Sequence, residues 1–142
     1  MTRGGPRLIV LLALLVAACG GVATEPVAPD HLASDRIAVD IDGQHWSLLR
    51  ASDDGMRGLD DFAGADGMLF DIGGEMHPSA VSFVMDGVTI PMDIAWFDVT
   101  GALVGVAEME PCPAEPCRRY AAPAPFRWAV EAPPGAFDGL VI

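Results

Sequence analysis

A chain of 142 residues is long enough for one domain and too short for two of ordinary size. Eight basic residues, all arginine, face 20 acidic ones, for a net charge of −12. A nucleic-acid backbone is thereby excluded as a partner, because binding phosphates needs a basic footprint.

Arg3 and Arg7 form a short basic start, and Leu8 to Ala18 runs apolar without a break. As a helix this run spans roughly 16 Å, whereas a bilayer core needs about 30 Å. It is too short to span and has the form of a signal-peptide core over residues 1–18. The apolar fraction of 51% is inflated by this segment. Val16-Ala17-Ala18-Cys19-Gly20 resembles the bacterial lipobox. That resemblance implies that Cys19 takes a diacylglyceryl group and becomes the first residue after cleavage. The expected address is the cell envelope, outside the cytoplasmic membrane, with acyl chains as the membrane partner. The chain after that point keeps six arginines against all 20 acidic residues. Residues 20–35 hold two prolines, a glycine pair and scattered charge without a clear period, which predicts a flexible tether.

From Arg36 onward, periods of two dominate. Ile37, Val39 and Ile41 alternate with Ala38 and Asp40, Asp42-Gly43 forms a turn, and Gln44 to Arg50 returns as the second strand of a hairpin. Ser52 to Asp61 is polar and fits one or two helical turns capped by Ser52. Strands are predicted at Gly67–Ile72, Ala80–Met85, Met92–Val99, Leu103–Met109, Phe126–Glu131 and Leu140–Ile142, with turns at Gly73-Gly74, Asp86-Gly87 and Thr100-Gly101. About eight short strands, with at most one short helix, predict a mainly β domain over residues 36–142, a sandwich or barrel.

Three cysteines are present. With Cys19 acylated, Cys112 and Cys117 remain, and an oxidising compartment makes a disulfide between them the expectation. Its effect is to fix a proline-rich loop. Metal binding by the pair would need further soft or imidazole ligands, and the spacing is not that of a CxxC redox motif.

From about Leu48 to the end, the chain resembles the DUF192 (UPF0127) family. Gly67-Met68-Leu69-Phe70 looks like its GMLF strand. Phe83-Val84-Met85 followed by Ile90-Pro91-Met92-Asp93-Ile94 looks like its FWMKNT-x-IPLDI stretch. Asp98 to Gly101 matches its DxxG turn, Cys112, Cys117 and Tyr120 a PC…PC..Y pattern, and Trp128 to Glu131 with Gly135 its YVLE strand. The resemblance implies a jelly-roll-like β fold and leaves the biochemical role open. Where the family has Lys-Asn-Thr this chain has Asp86-Gly87-Val88, and the arginine of the family's GLMxR segment has no counterpart. A ligand that relied on those groups would bind poorly here.

No residue set shows a catalytic pattern. Ser47, Ser52, Ser79 and Ser82 lack a GxSxG setting, and no cofactor motif is present. Asp53, Asp54, Asp60, Asp61 and Asp66 read as a solvated acidic face, without the spacing of a calcium loop. Met76-His77 with Met85 and Met92 has copper(I)-binding chemistry in principle, although alternating methionines usually fill cores. Asp93 follows Pro91 and precedes an apolar run. It is expected to be a structural carboxylate, held by donors if buried. The expected function is a non-catalytic envelope binding or accessory module, with Met85, Asp86, Pro91 and Asp93 as the candidate ligand face. The alternatives are a hydrolase with paired carboxylates acting on an envelope polysaccharide or peptide, and a metal-handling lipoprotein. Two facing carboxylates in a deep pocket favour the hydrolase, and a shallow apolar or aromatic groove favours binding.

Overall fold

Residues 36–51 and 64–140 are described by the computed structural model. The alternation after Arg36 produces β1 (Arg36–Ile41) and β2 (Gln44–Arg50). They pair antiparallel around Asp42 and Gly43, which have φ of 52° and 76°. Positive φ at both central residues is the geometry of a type I′ hairpin, whose twist matches that of the strands. Asp40 Oδ1 fixes the turn by accepting the Gly43 N–H at 2.9 Å. Six further strands follow: β3 (Gly67–Met76), β4 (Phe83–Val84), β5 (Met92–Phe97), β6 (Leu103–Met109), β7 (Arg119–Tyr120) and β8 (Phe126–Ala132).

Six of them form one sheet in the order β1-β2-β3-β8-β5-β6, and β4 and β7 form a two-stranded ribbon. All pairings are antiparallel except β2 with β3. The protein is thus mainly β, as its periodicity indicates, and no helix occurs among the described residues. The helical turns expected at Ser52–Asp61 lie outside them.

Several boundaries differ from expectation for local reasons. The segment expected as a strand from Ala80 narrows to Phe83–Val84, because the Ala80 N–H closes a turn onto the His77 carbonyl. The strand β7 escaped the periodicity because two residues carry no period. Leu140 lies in no strand, since residues 134–139 are turns, and residues 141 and 142 are outside the described part.

The sheet buries apolar side chains on both faces. On the first face Leu49, Met68, Phe70, Ile94, Trp96 and Phe126 meet Phe83, Met85 and Tyr120 from the ribbon side. Phe83 is the centre of this contact, 5.3 Å from Phe70 edge to face and 6.3 Å from both Trp96 and Phe126. On the second face Trp46, Leu48, Leu69, Ala95, Phe97 and Val130 gather with Phe137 from the turn region after β8. Trp46 and Phe137 stack at 5.4 Å, nearly parallel. Each residue of β5 is buried, as expected of a strand with neighbours on both sides and cover on both faces. Gly67 is required by the closeness of β3 to β8: a Cβ there would lie 2.3 Å from the Glu131 carbonyl oxygen.

Candidate functional site

Among the described residues the second face is only partly covered, and the open part is a cleft of about 480 Å³. Strand register explains which side chains meet in it. Leu69 pairs with Val130, Asp71 with Trp128, Phe97 with Trp128, and Arg50 with Leu69. Directly paired residues share a face, so this set forms a continuous floor. Ile37, Val39 and Ile41, alternate residues of β1, complete the apolar lining, and Asp40 and Asp42 join from the hairpin turn. The volume lies within the range of small-molecule sites, which are mostly apolar with a few placed polar groups.

The polar groups at the cleft are mostly engaged. Asp71 Oδ1 accepts the Gly73 N–H at 2.9 Å and lies 3.3 Å from Arg127 Nε. The Gly73 N–H, above all, holds the Asp71 carboxyl below its ordinary range. Partial burial opposes this and Arg127 adds to it. The Arg127 guanidinium carbon also sits 4.5 Å from the centre of the Trp128 ring. Asp40 Oδ2 is 3.3 Å from His45 Nδ1. Arg50 is exposed and in no ion pair among the described residues.

The most perturbed carboxyl among the described residues is elsewhere. Glu131 pairs with Met68 and Ile94, which places it on the first face, away from the cleft. It is 4% exposed, and burial pushes its pKa up from 4.5 to about 7. Glu131 Oε2 and the nearby-strand Trp96 Nε1 have no hydrogen-bond partner among the described residues. In the sequence Glu131 stands inside the strand motif Trp128 to Glu131, which hides it as a candidate. The available signal was a lone carboxylate in an apolar strand, the same signal that singled out Asp93.

The residues expected to form a ligand face are divided. Met85 is buried in the first-face core, while Asp86 and Pro91 are exposed. Asp93 alternates with Met92 and Ile94 of the first-face core, so its side chain is on the second face with Ala95. There its Oδ2 accepts the Gly135 N–H at 2.7 Å, tying β5 to the turn after β8. Asp93→Ala is expected to lower stability by about 1–3 kcal/mol by stranding that donor. Asp93→Asn keeps an acceptor and should cost less; urea midpoints of both variants beside the native chain check this.

Cys112 and Cys117 are bonded to each other, with Cα atoms 5.7 Å apart. Asp86, Glu115 and Cys117 bring ligand-type atoms within 4.8 Å of one another, but a disulfide sulfur is not a thiolate donor. Met92, like Met85, is buried in the first-face core, whereas His77 is exposed with Nδ1 2.9 Å from Ser79 Oγ. Asp66 Oδ2 accepts the Ser47 N–H at 2.7 Å. Cys19, His31, Asp53, Asp54, Asp60 and Asp61 lie outside the described residues.

Residues 47–142 match DUF192, described as an uncharacterized ACR. The chain belongs to the DUF192 family. No curated protein matches it. Among solved structures it is similar to a protein from Sinorhizobium meliloti 1021 titled a "putative transcription regulator". The identity is 21% over 72% of this chain and 80% of that one, with a TM-score of 0.53. At that identity the likeness is one of fold. Membership in DUF192 agrees with the strand motifs from Gly67 to Glu131, and it assigns no chemistry to the cleft.

Proposed function

We propose that this DUF192 protein is an envelope lipoprotein whose β domain binds a small ligand in the second-face cleft and performs no catalysis on it. The cleft carries this reading: an apolar floor of Leu69, Phe97, Trp128 and Val130, continued by Ile37 and Val39 of the same sheet, in a volume of about 480 Å³. The lipid anchor is supported by the basic start, the apolar run and the lipobox-like residues before Cys19.

A glycosidase-type hydrolase needs one protonated and one ionised carboxyl across the scissile bond. The carboxyl held protonated near neutrality is Glu131, on the opposite face of the sheet. Asp71, in the cleft, is held ionised. Regulation through direct contact with DNA is disfavoured, because from Arg36 onward six arginines face 17 acidic residues.

Two measurements test the reading. The Cys19→Ala chain should leave the membrane fraction or accumulate as uncleaved precursor, since acyl chains would be its strong membrane contact; a native chain that is soluble with an unmodified Cys19 would remove the anchor. Small apolar compounds extracted from the envelope should raise the melting temperature of the native chain, because a ligand of the folded state stabilises it. Unchanged melting with every fraction would count against the cleft.

A further inference from the structure

Building on the reading of the cleft as a ligand site, we propose that its ligand is a small organic cation with an apolar body, seated on Trp128 beside Asp71. The corner made by these two residues already holds a cation of the chain itself. The Arg127 guanidinium lies 4.5 Å from the Trp128 ring centre and its Nε is 3.3 Å from Asp71 Oδ1. Both Trp128 and Asp71 also line the cleft, whereas Arg127 does not. A cation is attracted to the electron-rich face of an indole ring, most strongly where water is partly excluded. Arg127 thus shows, inside the fold, the recognition that a ligand cation would use from the cleft side.

The charge around the cleft points the same way. Among the described residues three carboxylates line it, Asp40, Asp42 and Asp71, against the single arginine Arg50. Counting Arg127 as the partner of Asp71 still leaves an excess of negative charge, and Asp42 enters no ion pair among the described residues. The wider domain adds to this, with 17 acidic residues against six arginines from Arg36 onward. Such a field raises the local concentration of cations and lowers that of anions. A carboxylate-headed ligand such as a fatty acid would meet Arg50 alone against this field. The apolar lining supplies the other half of the specificity: Ile37, Val39, Leu69 and Val130 offer no hydrogen bonds from their side chains, so the ligand's body has to be apolar.

The test uses three probes of equal length on the full chain: hexyltrimethylammonium, hexanol and hexanoate. Binding is followed by chemical shifts of the Trp128 indole. The cation should bind at least about tenfold more tightly than the alcohol, with the carboxylate weakest, and added salt should shrink the cation's advantage. Asp71→Asn should shrink the ratio of cation to alcohol affinity several-fold. Asp42→Asn, at a turn position that asparagine tolerates, should reduce it without disturbing the Gly73 N–H to Asp71 hydrogen bond within β3. Equal binding of cation and alcohol, or tighter binding of hexanoate, overturns the ligand class and leaves the cleft as a binding site. No binding of any probe, with the variants folded, overturns both.

Discussion

Replacing Phe83 by Ala should cost about 3–5 kcal/mol, the range for a large aromatic removed from a core that cannot collapse onto the gap. Phe83 is 6% exposed and touches three aromatic rings of the main sheet, Phe70, Trp96 and Phe126. It enters the core from β4, whose only strand partner among the described residues is the two-residue β7. Ribbons this short are marginal alone, so the ribbon's place on the sheet depends on such contacts. Domains of this size have about 5–15 kcal/mol in total, and the variant would retain little. Urea unfolding of Phe83→Ala beside Phe83→Leu checks the account: the leucine variant should recover part of the loss. A change below about 1 kcal/mol for alanine would mean that the ribbon is held by other contacts.

Stability should fall as pH rises from about 4.5 to about 7, and Glu131 is the cause. Its folded pKa, about 7, lies above the ordinary 4.5, so the folded state binds this proton more tightly than the unfolded state. The resulting stabilisation is complete below the unfolded value and is lost as pH rises through the folded one. At 1.36 kcal/mol per pKa unit the loss is about 3 kcal/mol. Asp71 and Asp98 act with the opposite sign and in a lower window. Hydrogen bonds depress both, chiefly from Gly73 N–H and the Thr100 hydroxyl, and their contributions vanish as acid protonates them. Stability is therefore expected to peak between these windows. Glu131→Gln keeps the shape without the charge and should abolish the decline between 4.5 and 7. Urea midpoints measured across that range decide it; parallel curves for the native chain and the glutamine variant would clear Glu131 of the effect.

Much of the fold could be read from alternation and turn residues. The hairpin β1–β2 was legible because Ile37, Val39 and Ile41 alternate and Asp42-Gly43 is a strong turn pair. The bounds of β6 also followed from period-two reasoning. The parallel pairing of β2 with β3 was not legible, because alternation is the same whichever way a neighbour runs. The cleft was illegible for a related reason. Its floor joins residues from β2, β3, β5 and β8 that are far apart in sequence, and register across strands is not written in any one of them. The candidate face drawn around Met85 to Asp93 followed sequence proximity, and strand alternation divides those residues between core, solvent and the opposite face.

Ligand is proposed to bind the second face of the sheet. Chemical-shift mapping of the isotope-labelled chain tests this binding most directly, with an envelope extract fraction that raises its melting temperature as the titrant. Binding in the cleft predicts that the largest changes fall on the Trp128 indole and on the amides of Leu69, Phe97 and Val130, with Val84, Ile90 and Asp86 unmoved. The largest changes on Val84, Asp86 and Ile90, with Trp128 silent, would contradict it and move the site to the ribbon surface.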